Sequence, residues 1–407
     1  MPDREYDVVL FGATGFVGRL VAAYLAQAAP PDLRIALAGR SREKLVAVAG
    51  GLPASSRHWP LLEADTDDPV SLTRMAESTR VLVTTVGPYQ RYGLPVVEAC
   101  ARAGTHYADL TGEVLFVRQA IDRCDAIARE TGARLVHAAG YDSIPSDLSV
   151  FLLAERARED GAGGLTDVRL VATVRGGVSG GTIDSMRAQI ESMATDRTLR
   201  KVIGDPYALS PDRSAEPATR QPPDAMPPAL AAEGRWTAPF VMAPFNTRIV
   251  RRSNALQEWS YGRGLRYGES MSTGRGITGA FTAAGVTTGL AAAFGAMAFA
   301  PTRALLDRVL PAPGSGPGES AREKGFFRMI VDADTEGGRR YRATAAGKGD
   351  PGYAATSVML GETALALALD EDRLPQRAGS LTPSTALGNV LVERLRAAGH
   401  TYEVAAR

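Results

Sequence analysis

Through roughly the first 150 residues, short apolar runs alternate with stretches of helical spacing, the pattern of a parallel sheet covered on both faces. Asp7 to Phe11 (DVVLF) reads as a buried strand, followed by a glycine turn and a helix from Val17 to Ala28 that Pro30 and Pro31 stop. Leu33 to Ala38 reads as the second strand, with Ser41 capping a helix through Val48. Further strands are predicted at His58 to Leu62, Val81 to Val86, Thr105 to Asp109 and Arg134 to Ala138, with helices at Pro95 to Ala103 and Phe116 to Glu130. This order predicts an α/β fold whose N-terminal domain, residues 1–150, is a Rossmann-like doubly wound parallel sheet.

The pattern then changes. A strand at Asp167 to Val174 runs into the glycines of RGGVSGG and a helix from Thr182 to Val202, and residues 205–239 form a proline-rich excursion. Strand-like runs follow at Phe240 to Val250 and Leu265 to Thr273, then a hairpin at Phe326 to Asp334 and Gly338 to Ala345, and helices at Tyr353 to Ala368 and Ser384 to Ala398. Strands grouped this way predict a second α/β domain with a mainly antiparallel sheet over residues 151–383, and a C-terminal helix and tail over 384–407.

Charge excludes several partners. Lys+Arg 46 against Asp+Glu 45 leaves +1, so no global basic field exists to hold a nucleic acid. Two cysteines, Cys100 and Cys124, and four histidines without ligand spacing argue against a disulfide framework or a metal site. The charged N-terminus with its short apolar run is unlike a signal peptide, so the expected location is cytoplasmic.

The chemistry begins at GATGFVG, directly after the first strand. Gly12, Ala13, Thr14, Gly15, Phe16, Val17 and Gly18 form a strand-to-helix turn of the kind that cradles a pyrophosphate. At the end of the second strand, where binders of NAD place an acid, this chain has Gly39-Arg40-Ser41. Arg40 and Ser41 suit a 2′-phosphate, so NADPH is the expected cofactor, while Lys44 serves equally well as a solvated helix residue. Asp65 is placed either to meet the adenine amino group or to close a turn.

Ligands of such sheets lie beyond the carboxyl ends of the strands. There the loop Val86-Gly87-Pro88-Tyr89 is expected to bring backbone close to a nicotinamide. HYADLTGE offers Tyr107, Asp109, Thr111 and Glu113, and AAGYDSIPSD offers Tyr141, Asp142, Ser143 and Asp147. Tyr107, Asp109, Tyr141 and Asp142 are the candidate proton donors: phenols are neutral at pH 7, and carboxyls can donate if burial raises their pKa. Each has a plain alternative, with Tyr107 in the core, Glu113 capping a helix, and Asp142 or Ser146 capping the helix after Ile144-Pro145. Asp350 and Tyr353 are candidates for substrate contact.

GATGFVGR, AGRS, VGPYQRYGLPVVEAC, AGTHYADLTGE and HAAGYDSIPSD together resemble the saccharopine dehydrogenase-like reductases, in particular the trans-acting enoyl reductase branch. Weaker likeness continues through SGGT, VMAPFNTRIVRRS, GDPGY and LTPSTALG, so it covers nearly the whole chain. The resemblance implies an NADP-binding fold and, in that branch, reduction of a carbon–carbon double bond on a polyketide or lipid chain carried by a separate synthase. Tyr141 stands where such relatives usually have Phe.

Two alternatives stay open. One is C=N reduction, as in the saccharopine-forming relatives, which would favour an arginine cluster for substrate carboxylates; Arg175, Arg187, Arg248, Arg251 and Arg252 are candidates. The other is a lipid-associated protein that binds NADPH without catalysis. A last feature bears on location: residues 276–302 carry no charge, long enough to cross a bilayer. The spacing of Ile277, Phe281, Val286, Leu290, Phe294, Met297 and Phe299 instead predicts a helix with one apolar stripe facing a cleft, a partner or a lipid surface. Oligomeric state has no signal in the sequence.

Overall fold

The computed structural model describes residues 4–176, 184–185, 187–189, 197–298 and 318–407. Strand β1 (Tyr6–Phe11) is buried along its whole length between two parallel neighbours, β2 (Ile35–Gly39) and β4 (Thr79–Thr84), with Val8 opposite both Ile35 and Val81. Burial on both faces is why the run is continuously apolar rather than alternating. With β3 (Leu61–Glu63), β5 (His106–Asp109), β6 (Arg134–Val136) and β13 (Gly379–Leu381) it forms a parallel sheet of order β13-β6-β5-β4-β1-β2-β3. Helices α1 (Phe16–Ala28), α2 (Arg42–Gly50), α3 (Pro69–Ser78), α4 (Tyr89–Ala103) and α5 (Val114–Thr131) connect the strands. The order reverses between β1 and β4, which opens a crevice at their carboxyl ends.

Helix α4 starts at Tyr89, not at Pro95 as the sequence suggests, and Pro95 lies inside it. The cause is tertiary. Glu113, from the loop after β5, accepts hydrogen bonds from the backbone N–H of Tyr89 (2.9 Å) and Gln90 (2.7 Å), satisfying two otherwise orphaned donors.

After α6 (Ile144–Glu159) the chain builds the second sheet. Its strands are β7 (Leu165–Arg175), β8 (Ala229–Ala231), β9 (Arg235–Pro239), β10 (Arg266–Arg275), β11 (Phe326–Thr335), β12 (Arg340–Lys348) and β14 (Thr401–Ala406). They lie in the order β14-β12-β11-β7-β10-β9-β8, and all neighbours are antiparallel except β7 and β10. The predicted fold class is therefore present, with corrections in detail.

The run Phe240 to Val250, which reads as a strand in the sequence, belongs to a helix spanning Ala243–Leu256, which Pro244 helps to start. Nearly every residue of this helix is buried, including Asn246, Arg248, Arg251, Arg252 and Asn254, so its polar positions do not form a solvent face. Of the helix expected over Thr182 to Val202, residues 182–183, 186 and 190–196 lie outside the described residues; Arg197–Gly204 is helical. The sequence pattern places residues 351–383 in the second domain, yet β13 pairs with β6 and the helix Thr356–Leu369 packs against α1 and the first sheet. That helix is apolar all round and needs cover on every side. The C-terminal tail is likewise not loose, because β14 pairs with β12.

The uncharged segment is helical over Gly276–Ala298, and residues 299–302 lie outside the described residues. The expected stripe is divided between the two sides: Phe294 is exposed, Val286 and Leu290 are half-buried and Met297 is buried. Ile277 and Phe281 point outward, 74% and 73% exposed, whereas the small residues Gly279 and Ala283 face inward, letting the helix approach β9 and β10 closely. Only 11% of its most apolar stretch is buried, against 78% for the other long apolar helical stretch, Pro351–Leu369.

The tightest contact of the interleaved C-terminal segment is Gly361 against α1, where an added Cβ would lie 2.3 Å from the Tyr24 ring. The Tyr24 hydroxyl is held by Glu362 at 2.5 Å, so the ring cannot turn aside. Gly361→Ala should cost about 1–3 kcal/mol from overpacking, read as a lower denaturation midpoint with an unchanged slope in urea; an unchanged midpoint would show that the contact relaxes freely.

Candidate active site

The glycine turn sits at the crevice. Gly12 has a φ of +87°, and a Cβ there would meet Thr85 Oγ1 and Val86 Cγ2, both at 2.8 Å; a Cβ on Gly18 would lie 2.1 Å from the Gly12 carbonyl oxygen. Both positions therefore require glycine, and the second brings α1 hard against the turn. Gly15 is exposed and caps α1 without any side-chain hydrogen bond, and the first turn of α1 contains no acid. The result is an uncovered, positively polarised helix N-terminus, which fits the pyrophosphate of a dinucleotide. Val86, after β4, touches the Gly12 position and so brings the second loop to the same point. Within that loop the Gly87–Pro88 bond is cis, and Tyr89 is buried, its phenol donating to the Thr84 carbonyl (3.1 Å) and accepting from Leu110 N–H (3.1 Å).

At the end of β2, Arg40 is exposed and takes part in no ion pair among the described residues. Ser41 caps α2, its oxygen accepting from Lys44 N–H at 3.4 Å. Asp65 closes a turn by accepting from Asp67 N–H at 3.2 Å. Ala13, Thr14, Phe16 and Val17 complete the turn, and Phe16 meets Tyr353 of the second half edge-on at 4.9 Å between ring centres, with Arg322 stacked over it. The GDPGY loop therefore closes over the glycine turn.

The four candidate donors separate. Tyr107 is fully buried in the core with Cys100 and Phe116; burial, then the neighbouring Asp109, push its phenol well above the ordinary range, and it does not reach the crevice. Asp109 is also fully buried. One oxygen lies 2.7 Å from His137 Nδ1, and the other accepts from Thr111 N–H (3.0 Å) and Ala138 N–H (3.0 Å). It is a clamp between two loops rather than a free acid. Tyr141 packs edge-on against Phe327 of the second sheet, 5.3 Å between ring centres, and its hydroxyl has no hydrogen-bond partner among the described residues. Its backbone N–H donates to Thr356 Oγ1 at 3.0 Å. Only Asp142 combines partial exposure with a suitable proton affinity: burial, and then the Asp109 charge, push it up to about 7. Ser143 is the cap residue of α6, although its hydroxyl makes no capping bond there.

Neither His137 nor Glu269 stands out in the sequence. His137 opens the motif that carries Asp142, which is the available signal; Glu269, on β10, is distant in sequence and gives none. Glu269 is buried and pushed up to about 7 by burial. Three of the five arginines weighed for substrate carboxylates are bound to internal partners. Arg248 pairs with Asp224 (2.8 Å), Arg251 donates to the carbonyls of Pro206 and Tyr267, and Arg252 to those of Leu209 and Ser380. Both cysteines are buried, and burial pushes their thiols up, Cys124 to about 11.

Comparison with known proteins agrees with this geometry. Residues 8–136 match the saccharopine dehydrogenase NADP binding domain. A Mycobacterium tuberculosis protein provisionally named a trans-acting enoyl reductase is 52% identical over 410 residues, 97% of this chain and 96% of that one. The trans-acting enoyl reductase of Mycobacterium ulcerans is 47% identical over 409 residues, 97% of each chain. Apo saccharopine dehydrogenase (L-Glu forming) of Saccharomyces cerevisiae shares the fold with a TM-score of 0.57 at 12% identity, over 99% of this chain and 100% of that one. Homospermidine synthase of Legionella pneumophila, solved with NAD, gives 0.52 at 8% identity, over 99% and 92%. Fold and cofactor domain define an NADP-dependent oxidoreductase of two-domain saccharopine dehydrogenase architecture. Within that class, the chain belongs to the saccharopine dehydrogenase-like reductases, in the branch of the trans-acting enoyl reductases.

The raised carboxyls bind protons more tightly folded than unfolded. Each therefore stabilises the fold below its unfolded value of about 4, and that contribution is lost as pH rises toward about 7. Asp142→Asn should flatten part of this decline in unfolding free energy between those limits; an unchanged pH slope would show that Asp142 ionises normally.

Proposed function

We propose that the protein reduces the carbon–carbon double bond of an enoyl group on a hydrophobic acyl or polyketide chain, presented by a separate synthase. Full-length likeness to trans-acting enoyl reductases carries this reading. When bound, NADPH supplies the hydride that the β-carbon of the conjugated double bond accepts. The chain's own residues do the rest. The amides of Phe16, Val17 and Gly18 would hold the pyrophosphate, with Gly12, Ala13, Thr14 and Gly15 shaping the turn through the Gly15 N–H to Gly12 carbonyl bond, Arg40 and Ser41 would hold the 2′-phosphate, and Asp65 would border the adenine. Backbone from Val86 to Tyr89 lines the nicotinamide side of the crevice. Asp142, protonated near neutrality, gives its proton to the α-carbon of the enolate and regains one from solvent. The alternative, reduction of an imine formed from an amine and a keto acid, loses support because Arg248, Arg251 and Arg252 are committed to internal partners.

The test is to follow loss of reduced-nicotinamide absorbance with a 2-enoyl thioester or with an amine plus an α-keto acid. Oxidation with the thioester is expected; oxidation with the amine pair alone would overturn the proposal, and none with either would favour a non-catalytic NADPH-binding role. In the same assay Arg40→Asp should weaken NADPH, each lost charge-assisted bond costing about 1.5–3 kcal/mol, with little change for NADH.

The location proposed is cytoplasmic, with peripheral contact to a lipid surface through the helix Gly276–Ala298. An uncharged, little-buried helix displaying Ile277 and Phe281 supports this, since soluble proteins rarely expose a large apolar patch. Full-length protein should float with phosphatidylglycerol-containing vesicles, and Ile277→Asp with Phe281→Asp should abolish flotation; wild-type protein that stays at the bottom of the gradient refutes the contact.

A further inference from the structure

The proposed donor, Asp142, sits one residue before the start of a hydrogen-bond chain that leaves its own domain. Ser143 Oγ donates to Asn246 Oδ1 at 3.0 Å. The Asn246 amide nitrogen donates to Glu269 Oε2 at 3.0 Å and to Ser146 Oγ at 3.3 Å, and the Tyr267 hydroxyl donates to Glu269 Oε1 at 2.7 Å. Ser143 and Ser146 lie at the start of α6, Asn246 on the helix Ala243–Leu256, and Tyr267 and Glu269 on β10. All five side chains are buried, at no more than 1% exposure.

Chemistry fixes the direction of this chain. An asparagine side chain can present its oxygen or its nitrogen to a given neighbour. Here Glu269 accepts on both oxygens, which turns the Asn246 nitrogen toward it and leaves the oxygen facing Ser143. Ser143 has no competing role as a side-chain cap. On the other side, the Tyr141 backbone N–H is held by Thr356, so the two residues that flank Asp142 are pinned from different elements. A buried, satisfied network of this kind locks geometry because breaking one link strands another polar group without water.

We infer that Asn246 is a positioning residue for the reaction: oriented by Glu269, it holds Ser143 and thereby sets the place of the Asp142 carboxyl at the crevice. The inference rests on the assignment of Asp142 as proton donor. It gives the second domain a part in catalysis without touching cofactor or substrate.

The test uses the full chain with NADPH and a 2-enoyl thioester. Ser143→Ala deletes the link from one end without opening a large hole, and Asn246→Ala deletes it from the other. Each should lower kcat by tenfold to about a hundredfold, the cost of a misplaced reacting group, with KM for NADPH little changed. Glu269→Leu should fall with Asn246→Ala, and Glu269→Gln, which keeps an oxygen for the Asn246 amide, should recover most of the loss. Combined with Asp142→Asn, neither Ser143→Ala nor Asn246→Ala should cause further loss, because a group that acts through Asp142 has nothing left to position. If Asp142→Asn is impaired while the two link variants keep full kcat, or their losses add to it in full, the inference alone is overturned. If Asp142→Asn keeps full activity, the donor assignment fails and the inference with it.

Discussion

A carboxyl group buried without water must have its oxygens bonded, and Asp109 meets this with His137 and two backbone N–H groups. Those partners belong to the loops after β5 and β6, so one side chain fixes both. Ala138 adopts a left-handed conformation with a φ of 62°, unusual for a residue with a Cβ, and it is held there by its own N–H on Asp109 and by Ala139 N–H on the Asp109 carbonyl at 2.7 Å. That turn delivers Tyr141 against Phe327 of the second sheet and leaves Asp142 half-buried. Without the clamp the rest of the site has no fixed starting point.

The second half of the molecule is attached by buried polar bonds as much as by apolar packing. Desolvating a guanidinium is expensive, and burial pulls Arg251 down to about 10 and Arg252 down to about 9, still protonated at neutral pH. Each nevertheless finds two backbone carbonyls, drawn from segments far apart in the chain. One turn along α6, Asp147 accepts from Ser253 Oγ (2.5 Å) and Ser384 N–H (2.8 Å), tying α6 to the helix Ala243–Leu256 and to the helix that begins at Pro383. The helix that carries Asn246 is thus anchored on several sides, which is what lets a second-domain residue hold a first-domain loop in place.

The cofactor end is largely legible in the sequence, because each of its features is local. A strand, a glycine turn and a helix are adjacent in the chain, and glycine is needed at position 18 by contact with the turn itself and at position 12 by a positive φ, to which Thr85 and Val86 of a distant loop add close contacts. The reacting end is legible only as three loops. Which of Tyr107, Asp109, Tyr141 and Asp142 faces the crevice depends on how the strands and the second domain pack around them, and the start of α4 depends on a carboxylate from another loop. The helix Ala243–Leu256 escapes sequence reading because its polar positions, three arginines among them, are buried against partners distant in the chain and form no solvent face.

The uncharged segment shows the same division. Composition alone established a long apolar helix without charge; the packing decided that Gly279 and Ala283 face β9 and β10 while Ile277 and Phe281 face outward, because close approach to the end of a sheet admits the small residues but not a phenyl ring. By itself, the sequence determined the element order, the parallel sheet and the dinucleotide turn, since these follow from periodicity and from glycines acting over a few residues. Tertiary structure alone decided the membership of residues 351–381 in the first domain, the employment of the arginines and the pairing of Ser143 with Asn246. Those are contacts between residues far apart in the chain, and their free energy exists only once the two domains have packed.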